Sequence, residues 1–184
     1  MRYALPILAL VASLALAAPV HADQRDPRLA PLFETLKSAG DLNEVGNAEQ
    51  AIWGIWMESG DEETDKLLMQ GSVYMQTRSF GAALSHFNSV IAAQPEFAEG
   101  WNKRATLYFM MGEYDKSIAD CEKTLTLEPR HFGALFGLGL IYSQIDNEAK
   151  ALDAFEKALA VHPHLQNVPA IIQRLKAKLK SQEI

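Results

Sequence analysis

The chain has 184 residues, 48% of them hydrophobic, with a formal net charge of −6. That length suits one domain with a substantial core, and the acidity argues against nucleic acid and anionic lipid as main partners. A single cysteine leaves no possibility of an intramolecular disulfide.

Met1 to Ala22 reads as a cleaved secretory signal peptide. Arg2 is a minimal positive region, and Ala4 to Ala18 is an apolar run broken only by Pro6 and Ser13. Pro19-Val20-His21-Ala22 then places small residues one and three back from a cut before Asp23. The run is about 15 residues, short of the roughly 20 that a membrane span needs. No membrane span is therefore expected after cleavage. No cysteine lies near the cut to carry a lipid anchor of the bacterial lipoprotein type. Export without disulfides points to the periplasm.

Residues 23–63 read as a helical hairpin. Pro27 suits a helix start, and Leu29, Leu32, Phe33 and Leu36 come after it at helical spacing. Ala39-Gly40-Asp41 breaks that helix. A second helix, starting at Leu42 or Asn47, runs to Glu58 and carries Ile52, Trp53, Ile55 and Trp56. Ser59-Gly60-Asp61 ends it and offers an N-cap to the next helix. The expected role of the hairpin is to cap the first unit of the segment after it. A second reading makes Trp53 and Trp56 a dimerisation or partner surface.

From Thr64 onward one pattern repeats three times, over 64–97, 98–131 and 132–165. Pro95, Pro129 and Pro163 fall 34 residues apart, as do Gly71, Ala105 and Gly139, and Tyr74, Tyr108 and Tyr142. Phe87, Cys121 and Phe155 share one column, and Ala83, Ser117 and Ala151 another. A fixed period of this length marks a repeat array. Within each copy the spacing predicts two helices around a turn, closed by a proline that cannot continue a helix. The small columns let the paired helices approach. The large column fills the space between hairpins, which no hairpin could bury alone. The third copy has Asp146-Asn147 at its turn, where Asn tolerates the left-handed conformation. After Pro163 one more helix, to about Lys180, has an apolar stripe of Val168, Ile171, Ile172, Leu175 and Leu179. Arg174, Lys176, Lys178 and Lys180 are expected to face water.

These columns resemble the tetratricopeptide repeat (TPR) family: small at the eighth and twentieth positions, aromatic at the eleventh, Phe at the twenty-fourth and Pro at the thirty-second. Cys121 departs from the large column, and Arg78 stands where Gly is frequent. The resemblance implies an all-α, right-handed superhelix of three hairpins, with 166–184 as a C-terminal solvating helix. It also implies a concave groove lined by the first helix of each repeat. The groove positions that would meet a partner are Leu68, Met75, Asn102, Thr106, Phe109, Met110, Phe136 and Leu140. Some TPR domains grip a partner's C-terminal carboxylate with Lys, Arg and Asn. Here Leu68, Ser72, Gly133 and Gly137 stand in those places, and Asn102 with Lys103 does not make a clamp. The expected ligand is therefore an apolar or amphipathic segment of a protein or peptide partner.

No catalytic or cofactor motif competes with this reading. There is no P-loop, dinucleotide turn or Gly-x-Ser-x-Gly elbow. His162-Pro163-His164 lacks a third metal ligand at suitable spacing, and Cys121 sits in a core column. The expected function is a non-enzymatic, exported scaffold without cofactor or metal. The alternative is a homo-oligomeric envelope protein using Trp53 and Trp56 to form a homodimer.

Overall fold

The structure is a computed structural model that describes residues 24–182; the expected signal peptide lies outside them. The described residues form helices and no strand. In order these are α1 (Leu29–Ser38), α2 (Leu42–Trp56), α3 (Glu62–Gln76), α4 (Phe80–Ala93), α5 (Ala98–Met110), α6 (Tyr114–Leu127), α7 (Phe132–Gln144), α8 (Glu148–Val161) and α9 (Val168–Gln182). Helices α3 to α8 make three hairpins. Each second helix also packs on the next first helix, α4 on α5, α6 on α7, and α8 on α9. Helix α5 touches both α3 and α7, so the first helices line one face of the array.

The three turns inside the hairpins are built alike. Arg78, Gly112 and Asp146 hold the left-handed position, with φ of 58°, 75° and 53°. In each copy the amide just past that residue donates back to the tyrosine column: Ser79 to the Tyr74 carbonyl at 2.8 Å, Glu113 to Tyr108 at 2.9 Å, and Asn147 to Tyr142 at 2.8 Å. This is the Schellman closure of a helix C-terminus. Asp146 therefore takes the left-handed role, rather than Asn147. Asn147 caps α8, its side chain accepting from the Lys150 amide.

The large and small columns meet as their sizes require. A Cβ built on Gly71 would lie 2.6 Å from the Phe87 ring, and one on Gly139 would lie 2.6 Å from the Phe155 ring. Glycine is thus what seats those rings. In the middle repeat Ala105 faces Cys121 instead, and the Ser117 hydroxyl donates to the Ala105 carbonyl at 2.7 Å.

Helix α9 continues the stack, with Val168 and Ile172 buried against the last hairpin. Its cations are not simply hydrated. Lys176 pairs with Glu156 at 2.7 Å, and Lys178 pairs with Glu148.

The N-terminal hairpin does something the repeat pattern does not anticipate. Its apolar cluster of Leu29, Phe33, Leu36, Val45, Ala48, Ile52, Ile55 and Trp56 closes over Phe132 at the start of α7. Trp56, 1% exposed, stacks on the His131 ring with centroids 4.1 Å apart and planes at 10°. Trp53 meets Phe132 edge-on at 5.3 Å. The Gln24 side chain reaches the turn before α5, donating to the Glu96 carbonyl at 2.6 Å and accepting from the Ala98 amide at 3.3 Å. Arg130 lies 4.4 Å over the Phe33 ring, and Glu49 approaches His162 at 3.3 Å. The hairpin therefore runs along the turns between repeats rather than stacking on the first one. The cost appears on α3. Val73 is 53% exposed, while its column partners Leu107 and Ile141 are buried under α4 and α6.

Candidate functional site

The groove begins with the residue types on α5. Glu99 is buried, and desolvation alone would raise its pKa; the Lys103 charge and the His131 hydrogen bond reverse this and hold it below the ordinary carboxylate value. Its Oε2 accepts from the Asn102 amide at 2.9 Å and lies 2.9 Å from His131 Nε2, while Lys103 Nζ lies 3.1 Å from Oε1. His131 Nδ1 accepts from the Ala134 amide at 3.1 Å and so caps α7. With Nδ1 accepting, the proton belongs on Nε2, which donates to Glu99. Trp56 covers the other face of this imidazole. One buried polar knot thus joins α5, α7 and the N-terminal hairpin.

That knot closes one end of the groove. A Cβ on Gly133 would sit 2.6 Å from the tip of the Trp53 ring, so glycine is required where the hairpin leans on α7. Lys103 lies 6.0 Å over the same ring. Beyond Trp53 the groove is open. A cavity of about 190 Å³ lies between α5 and α7, with α6 beneath. Asn102, Thr106 and Phe109 form one wall, Gly133, Phe136, Gly137 and Leu140 the other, and Ala105, Ser117 and Cys121 the floor. Among the described residues, no charged side chain lines it.

Five of the expected groove residues therefore converge: Asn102, Thr106, Phe109, Phe136 and Leu140. Asn102 is there only as wall, since its amide is committed to Glu99. Thr106 is exposed at the rim. Phe109 leans on Tyr114 at 5.9 Å and Phe136 on Phe155 at 5.6 Å, so each ring packs on a neighbouring ring as well as lining the cavity. Met110 is exposed on the last turn of α5. Met75 is half-buried beside the first repeat's core. Leu68 must be withdrawn from the expected set. It has no exposed surface and packs in one cluster with Phe87 and Phe97, Met57 from the end of α2 lying against them. The expected Trp53 and Trp56 surface is also corrected: Trp56 is interior, and Trp53 is half-buried against α7.

Sequence reasoning did not join Glu99 and Lys103, four residues apart on α5, to His131, because that partner lies 32 residues from Glu99 along the chain. It also passed over Cys121 as a feature of the groove. Its thiol, pushed up to about 12 by burial and the neighbouring Asp120 and Glu122 charges, is unsuited to nucleophilic work. Among the described residues, no three His, Cys, Asp or Glu side chains form a group that could hold a metal ion.

Comparison with known proteins agrees with the repeat geometry. Residues 96–163 match the tetratricopeptide repeat family model. A TPR repeat-containing protein of Rhizobium etli is 36% identical over 152 residues, which are 83% of this chain and 74% of that protein. The first TPR of Spaghetti (RPAP3), bound to an HSP90 peptide, superposes with a TM-score of 0.62 at 17% identity, covering 65% of this chain and 96% of that one. The Yersinia enterocolitica type III secretion chaperone SycD, in complex with a peptide of the translocator YopD, gives a TM-score of 0.61 at 14% identity, covering 64% of this chain and 95% of that one. The fold is the one these peptide-binding domains use, and the chain belongs to the tetratricopeptide repeat family of scaffolds, a family that is typically non-catalytic.

Proposed function

We propose that this chain is an exported scaffold that holds an apolar or amphipathic segment of a partner protein in the groove between α5 and α7. One observation carries the reading: beyond Trp53 the groove is open, uncharged and walled by Phe109, Phe136 and Leu140. Apolar surface left uncovered at a concave site is where a partner gains most from burial. The same groove argues against an acidic C-terminus as ligand. Lys103, the cation nearest the clamp position, is already paired with Glu99.

Titration of labelled amphipathic peptides against the protein tests the groove. Thr106→Glu/Met110→Glu changes two exposed positions and should weaken binding at least about tenfold without shifting the melting midpoint. Equal binding by both proteins would move the site elsewhere. Export rests on the apolar run and the small residues before Asp23. Mass spectrometry of the periplasmic fraction should find a chain beginning at Asp23, and an uncleaved chain in the cytoplasm would sink that part.

A further inference from the structure

The three repeats carry the same large column, and two of its three members are wholly buried phenyl rings, Phe87 and Phe155. Each ring lies on a glycine, Gly71 or Gly139. In the middle repeat both halves of that pair are changed together. Ala105 replaces the glycine and Cys121 replaces the ring. The alanine methyl occupies the place where a ring would seat, and the thiol is too short to fill the rest. The open space at this point is the cavity of about 190 Å³, with Ala105, Ser117 and Cys121 as its floor. It is comparable in size to apolar protein cavities of about 150 Å³ that bind benzene. Across the cavity Gly137 adds no side chain, and a Cβ placed there would meet only the Cys121 sulfur, at 3.8 Å.

We propose that this hollow is a receptor for one aromatic side chain, a phenylalanine presented by the partner segment. The partner ring supplies from outside what Phe87 and Phe155 supply from within their own repeats. The chemistry favours a ring without charge. The lining is apolar apart from the Thr106 and Ser117 hydroxyls and the Asn102 amide, and all three are already engaged, with the Asn102 carbonyl, the Ala105 carbonyl and Glu99 respectively. Trp53 and Gly133 bound the hollow toward the hairpin, and Thr106 stands at the open rim. The proposal rests on the groove as the binding site, and names the group that anchors the ligand there.

The test restores the pair that the other repeats use. Ala105→Gly/Cys121→Phe rebuilds the glycine-and-ring arrangement, and Gly137→Leu fills the same space from α7. Two probes are used: benzene, and N-acetylphenylalaninamide with N-acetylalaninamide as control. Benzene should raise the melting midpoint of the wild-type protein in a saturable way and leave at least one folded filled variant unmoved. N-acetylphenylalaninamide should shift the Ala105 methyl resonance, and the alanine control should not. Absence of a benzene effect on the wild type, or its persistence in the filled variants, overturns the proposal. Binding of benzene without the phenylalanine amide also overturns it, by making the hollow a site for small apolar molecules only. Peptide titration separates the receptor from the groove. Groove peptides that bind wild-type and filled proteins equally would leave the groove reading standing and remove the receptor. Ring binding with no peptide response to Thr106→Glu/Met110→Glu would remove the groove reading and, with it, a partner ring as the occupant of the hollow.

Discussion

At the C-terminal end of the array α9 lies on α8 as α5 lies on α4, so the last hairpin is sealed by a helix in the place a fourth repeat would use. At the N-terminal end the hairpin of α1 and α2 does not occupy the corresponding place before α3. It turns along the inter-repeat loops and gives its aromatic cluster to His131 and Phe132 in the third repeat. The first end is local, built from neighbours in sequence. The second is long-range, and ties residue 24 to residue 98 and Trp56 to residue 131. An array of independent repeats is held by nearest-neighbour contacts alone. Here the hairpin joins three junctions, which makes the unfolding of the repeats cooperative with its own.

The sharpest way to break that comparison is Trp56→Ala. The ring is interior among Phe33, His131 and Phe132, so the loss should be about 3–5 kcal/mol in denaturant unfolding. The repeats should lose hydrogen-exchange protection along with α1 and α2. A small effect confined to the hairpin would show it to be a loosely held appendage. Leu107→Ala should cost about 2–5 kcal/mol, because α4 covers that column. The equivalent change on the bare face of α3, Val73→Ala, should stay within about 0.5 kcal/mol. Similar losses at both positions would mean that something covers α3 in solution.

Acid tests the polar knot. Glu99 titrates below its ordinary 4.5 in the fold, so its ionised form stabilises the protein above that value. This contribution is lost as pH falls below 4.5 and through the folded value. Stability should therefore decline on acidification in that range, and Glu99→Gln should flatten this part of the profile. An unchanged profile would show that the Glu99, Lys103 and His131 contacts are not coupled to folding.

Much of the repeat core was legible in the sequence because the period aligns residues that do the same job. The Gly71 and Phe87 pair and the Gly139 and Phe155 pair fall in the expected columns, and both phenylalanines are wholly buried. The turns were readable for the same reason, down to a slip of one residue between Asp146 and Asn147. The groove was legible only in part. Phe109, Phe136 and Leu140 line the cavity, but Leu68, in an equivalent helix position, is buried. Periodicity assigns a face to each residue and cannot say which faces another part of the chain will cover.

The sequence by itself determined the all-α repeat architecture and its stacking columns, since these arise from helical spacing, glycine, proline and side-chain size within short stretches. Only the tertiary structure decided where α1 and α2 dock, which groove positions remain open, and that the large column is hollow at Cys121. Those outcomes depend on contacts between segments distant in sequence, where a tryptophan meets a histidine 75 residues away, and no local pattern encodes such a meeting.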